Sequence, residues 1–149
     1  MGTNTIRAVK SIENEGYGFY LRQKGGVLTV IGKSMLPTLQ EGWKVKIAPV
    51  KPEEIKIGDV ITFSSGRLFT HRVIGKFRSG GRLYFFHKGD NDYLLSKISS
   101  EYAIGKVIEV IRSDKINYTL NSPHPIVTAF YKFIVSPGLA ALDNIFRRI

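Results

Sequence analysis

The chain has 149 residues, 43% of them hydrophobic and 23% charged, which suits one domain with room for a core and argues against global disorder. Lys and Arg number 22 against 12 Asp and Glu, a formal net charge of +10 that favours nucleic acid, an acidic membrane face or an acidic partner. Cysteine is absent, which excludes disulfide scaffolds, thiol nucleophiles and thiolate metal sites and leaves the compartment open.

The first residues, Met1 to Arg7, lack the long apolar core of a signal peptide. No stretch reaches the roughly 18 uninterrupted apolar residues of a spanning helix. The expectation is a soluble or peripheral protein, residues 1–149 forming a single domain. Residues 5–24 carry Ile6, Val9, Ile12, Tyr17 and Phe19-Tyr20-Leu21 at helix-like spacing, with Asn4 or Thr5 placed to cap. Gly16 and Gly18 weaken this helix in its middle, and Gly25-Gly26 ends it.

From Val27 the period changes. Val27-Leu28-Thr29-Val30-Ile31 is short and β-rich, which predicts a buried strand. It leads into Gly32-Lys33-Ser34-Met35-Leu36-Pro37-Thr38-Leu39. Proline fixes its own φ and pushes the preceding residue towards extended geometry. The stretch therefore reads as a turn that displays the Ser34 hydroxyl, with Met35 exposed beside it. Lys44-Val45-Lys46-Ile47 alternates like a half-exposed strand. Pro49 and Pro52 mark a loop, and Gly58-Asp59 a turn.

Val60-Ile61-Thr62-Phe63 and Leu68 to Ile74 are strands joined by the hairpin signal Ser64-Ser65-Gly66-Arg67. Ser79-Gly80-Gly81 turns the chain into Leu83-Tyr84-Phe85-Phe86, and Lys88-Gly89-Asp90-Asn91-Asp92 is a loop. Ala103 to Ile111 is the last strand, with Gly105 marking a bulge or close approach. Short strands with turns every eight to twelve residues or so predict a mainly-β fold, a coiled antiparallel sheet or small barrel over 27–111. Residues 123–149 read as a helical C-terminal segment broken by Pro137-Gly138.

Three side chains suit catalysis. A serine hydroxyl needs a base within reach and a third group to orient that base. Histidine suits the base role, and a carboxylate can fix its tautomer. Ser34, His71 and Asp90 form a chemically complete set, but spacing cannot show that they meet. Asp90 has an alternative reading, since an aspartate in a Gly-Asp-Asn loop often shapes its own turn. Lys33 points away from Ser34 if strand geometry holds. His87 reads as a surface or structural histidine, and His124, between two prolines, as loop. Three histidines without carboxylates at ligand spacing do not predict a metal site.

Gly32-Lys33-Ser34-Met35-Leu36-Pro37-Thr38 resembles the serine box of type I signal peptidases. Gly58-Asp59-Val60-Ile61-Thr62-Phe63, Thr70-His71-Arg72-Val73-Ile74 and Lys88-Gly89-Asp90-Asn91-Asp92 resemble the three later boxes, in the family's order. His71 matches the archaeal and endoplasmic-reticulum form, which has histidine where the bacterial form has lysine. The resemblance implies a serine endopeptidase with Ser34 as nucleophile, His71 as general base, and Asp90 as acidic partner with Asp92 second. It implies no cofactor, and it implies a polypeptide substrate bound extended beside a strand edge. It also implies an oxyanion held by the Ser34 backbone N–H and a nearby donor.

Members of that family carry an N-terminal membrane anchor, where this chain has the amphipathic pattern of 5–24. Tyr93-Leu94-Leu95-Ser96 stands where the eukaryotic form has an acidic pair. The chain is thus more similar to the small, anchorless relatives. Phe130-Tyr131-Lys132-Phe133 with Arg147-Arg148 reads as a core-covering segment or as a peripheral membrane-surface element. A rival from another class is a non-catalytic basic β-domain that holds nucleic acid, acidic lipid or a protein partner. The peptidase reading expects no nucleic acid.

Overall fold

The computed structural model describes residues 16–112 and 118–119. The predicted caps Asn4 and Thr5, the first turns of the N-terminal helix and the segment 123–149 lie outside these residues.

The fold is mainly β. Strands β1 (Gly26–Thr29), β2 (Lys44–Ala48), β3 (Val60–Ser64), β4 (Leu68–Ser79), β5 (Arg82–Lys88), β6 (Ser96–Ser99), β7 (Ala103–Ile111) and β8 (Tyr118–Thr119) follow in chain order. They form one antiparallel sheet ordered β1-β2-β7-β3-β4-β5-β6, with β8 also paired to β7. The path is open, with β1 and β6 at its ends, so the coiled-sheet alternative holds and barrel closure is not seen among the described residues.

Residues 16–24 are helical. Gly18 does not interrupt this helix. A side chain there would come within 3.2 Å of Ser64 Oγ and 3.5 Å of Ile104 Cδ1, so the helix lies close against the sheet at Gly18. Leu21 is the helix's buried anchor, whereas Tyr17, Phe19 and Tyr20 stay exposed. Gly25, at φ 71, ends the helix and donates its N–H to the Leu21 carbonyl at 2.8 Å.

Two expectations fail at the serine stretch. Strand β1 is not buried: Val27 is exposed, because β1 is an edge strand with only β2 beside it, and Ile31 lies exposed beyond its end. Met35 is not exposed either. It is 3% accessible and packs with Leu39, Val45, Ile47, Val60, Val107 and Val110. Leu39 N–H bonds the Met35 carbonyl at 2.9 Å. The turn curls back and drives two apolar plugs, Met35 and Leu39, into the core below it. Ser34 is left at the rim.

A second apolar cluster, Ile55, Ile61, Phe63, Val73, Leu83, Phe85 and Ala103, fills the other half of the sheet. Gly105 combines both sequence readings. The β3–β7 register shifts at Thr62/Phe63, opposite Gly105 and Ala103. A side chain at Gly105 would lie 2.5 Å from the Ala48 carbonyl oxygen. Among the described residues no helix is long and apolar enough to cross a membrane.

Candidate active site

Alternation along β4 sends neighbours to opposite faces. His71 faces a cleft, and Arg72 faces the protein interior. The Arg72 side chain is only 2% exposed and acts as a hub. Its Nε donates to Asp90 Oδ1 at 2.8 Å, its Nη2 to Asp90 Oδ2 at 2.7 Å, and its Nη1 to the Gly58 carbonyl at 2.7 Å. Thr38 Oγ1 donates to the same Asp90 Oδ2 at 2.5 Å and receives a longer bond from Arg72 Nη2 at 3.3 Å. One buried fork therefore ties together the serine turn, the Gly58-Asp59 turn, β4 and the Gly89-Asp90 loop.

Backbone contacts complete the clamp. Asn91 N–H donates to the Ser34 carbonyl at 2.8 Å, and Val73 N–H to the Asp59 carbonyl at 2.9 Å. Gly89 sits beneath Ser34, where an added Cβ would meet the Ser34 carbonyl oxygen and Asp92 Oδ2 within van der Waals overlap. Only glycine allows the two loops to approach this closely. Gly89→Ala is expected to cost about 1–3 kcal/mol of stability by overpacking, read as a lowered urea midpoint.

The geometry redistributes the roles the sequence suggested. Asp90 shapes neither its own turn nor the His71 ring, because both its oxygens are held by Arg72 and Thr38. The carboxylate beside His71 is Asp92, whose Oδ2 lies 3.7 Å from Nε2. Lys33 is exposed and does not line the cleft. Ser34, His71, His87 and Asp92 line one cleft of about 1060 Å³. No hydrogen bond among the described residues uses the Ser34 hydroxyl or its N–H, so both are free to meet a ligand.

Of the two readings of His87, surface or structural, the structure excludes the first. His87 is 5% exposed, and its Nδ1 lies 3.0 Å from His71 Nδ1. Phe63 and Phe69 flank it, with ring centroids 5.2 and 5.4 Å away. The available signal was alternation: Leu83, Phe85 and His87 are consecutive inward positions of β5.

Burial shapes the electrostatics. Desolvation lowers the His71 pKa and Arg67 lowers it further, against the opposing pull of Asp92 and then Asp90. Desolvation together with the neighbouring His71 brings His87 down to about 4. Both rings are therefore neutral at pH 7, the state in which an imidazole can accept a proton. No cluster of His, Asp or Glu among the described residues could hold a metal ion. No protein-family model matches this chain, and no curated protein matches it either.

Proposed function

We propose that the protein is a serine endopeptidase of the kind its sequence boxes resemble, with Ser34 as nucleophile and His71 as general base. One observation carries this reading. Four short stretches scattered over some sixty residues are cross-linked by the Arg72 fork and the Ser34–Asn91 backbone bond. Their three chemically suited side chains, Ser34, His71 and Asp92, share one cleft as a result.

In this mechanism the Ser34 hydroxyl adds to a peptide carbonyl carbon as His71 takes its proton. The Ser34 N–H is available to bond the developing oxyanion. Asp92, beside His71, stabilises the imidazolium. His71 then delivers the proton to the leaving amine as the C–N bond breaks. Water, deprotonated by His71, hydrolyses the Ser34 ester and regenerates the hydroxyl.

The substrate lies extended along β1. Residues 28–32, the end of β1 and the chain just after it, line the same cleft. Val30 spends both its backbone groups on Trp43 and Gly42 of the β2 side. The alternating residues Thr29 and Ile31 therefore aim theirs at the open edge, ready to pair with an added strand.

The test is cleavage of a library of unstructured peptides, read by mass spectrometry. Wild type is expected to cut a defined subset, and Ser34→Ala and His71→Ala each to abolish that cleavage. Cleavage that persists in Ser34→Ala, or none by wild type, sinks the reading.

A further inference from the structure

We propose that His87 is a positioning residue for His71: its Nδ1 accepts the hydrogen on His71 Nδ1 and leaves the His71 Nε2 lone pair on the side of Asp92, in the cleft that Ser34 also lines. This rests on the peptidase reading for the direction of the shared hydrogen and for its catalytic consequence; the contact between the two rings does not depend on it.

Three observations support it. First, the two Nδ1 atoms lie 3.0 Å apart, within hydrogen-bond range. Two nitrogens that close must share one hydrogen, so one ring donates and the other accepts. Second, the other His71 nitrogen lies 3.7 Å from Asp92 Oδ2, too far for a hydrogen bond. Asp92 can attract a positive ring from there, but it does not hold the ring's orientation. Among the described residues, the one hydrogen bond to the His71 ring is that to His87. Third, His87 is itself fixed. It is buried between Phe63 and Phe69, on the strand next to His71. Val73 pairs directly with His87, which makes His71 its diagonal neighbour on the same face.

The direction of sharing follows from the chemistry that the site must perform. A hydrogen on His71 Nδ1 leaves Nε2 basic and turned towards the side where Asp92 and the Ser34 carbonyl close on Gly89. The opposite tautomer puts a hydrogen on Nε2, and a nitrogen that carries a hydrogen cannot take the serine proton. His87 thus does for His71 what an orienting carboxylate does in other serine hydrolases. It differs in being neutral. The low proton affinity of His87, pulled to about 4 by burial and by His71, keeps the catalytic proton on His71 once it has been transferred. The groups facing the pair are Asp92, Asp90 and Arg67 around His71, and the apolar rings around His87.

The experiment is nitrogen-15 NMR of the histidine rings, which is tractable with three histidines in the chain. Wild-type His71 at neutral pH is expected to carry its hydrogen on Nδ1, and a hydrogen found on Nε2 overturns the proposal. His87→Phe keeps a flat ring between Phe63 and Phe69 but cannot accept. The Nδ1–H form of His71 is expected to decline in it, and kcat for the best-cut library peptide to drop about 100-fold with little change in KM. His87→Asn, whose amide oxygen can accept, is expected to restore most of both. If His87→Phe fails to fold, the wild-type spectrum and His87→Asn decide. A His71 tautomer unchanged in His87→Phe overturns the proposal whether or not peptides are cut. A tautomer that responds to His87 in a protein that cuts no peptide supports the positioning role and sinks the peptidase reading alone.

Discussion

Asp90→Ala is expected to lower folding stability by about 3–5 kcal/mol, the range for removing one partner of a buried ion pair. The two side chains are 2% and 5% exposed. Without Asp90, the Arg72 guanidinium keeps its bond to the Gly58 carbonyl but has lost its counter-charge in a site that water does not reach. Thr38 loses its bond to Asp90 at the same time. Most of the cost is the stranded charge rather than the worth of the pair. Arg72→Met combined with Asp90→Leu should therefore recover most of the loss, since replacing both buried charges by apolar groups is often neutral. Urea unfolding at constant slope measures both. A loss below about 1 kcal/mol in Asp90→Ala would show that the fork is not what clamps the loops.

That prediction separates two carboxylates that the sequence could not. Gly-Asp-Asn-Asp offers Asp90 and Asp92 within three positions, and the family resemblance favoured the first. What decides between them is which side of β4 each reaches. Arg72, one residue beyond His71, faces the opposite way and takes Asp90 with it. Asp92 is left on the cleft side and makes the larger favourable contribution to protonation of His71.

Most strand and turn positions along the chain were legible in the sequence, because alternation and Gly-containing turns are local signals. Ser64 to Arg67, Ser79 to Gly81 and Gly105 all stand where the chain pattern put them. Burial was not legible where it depended on distant partners. Val27 looked like core and lies on an edge, while Met35 looked exposed and plugs the core. Strand β6 was missed, and so was β8, which follows the Ala103–Ile111 strand read as the last. Strand β6 is four residues long, three of them polar, and its pairing with β5 supplies what its composition lacks. For His87, the choice between a surface and a structural histidine was left open for a related reason. Its inward face was predictable from β5, but its proximity to His71 depends on the β4–β5 register, which carries a bulge between Val73 and Gly75.

The paired histidines make a second large prediction, this one about acid. Folding lowers the pKa of both rings below the usual 6.5, with His87 reaching about 4. In the unfolded chain both protonate near 6.5, so between about 6.5 and 4 the unfolded state binds more protons than the folded state. Stability then rises with pH across that window, and is lost as pH falls through it. For His87 the full difference corresponds to roughly 3 kcal/mol once pH reaches about 4, and to roughly 2 kcal/mol by pH 5. His87→Phe removes this term and leaves only the His71 contribution. Urea unfolding of wild type and His87→Phe at pH 7 and pH 5 isolates it, because the other titrating groups are common to both chains. Wild type is expected to lose roughly 2 kcal/mol more than the variant between the two pH values. Equal losses would mean that His87 is protonated in the folded protein at pH 5. The neutral acceptor that the His71 ring needs would then be absent below that pH.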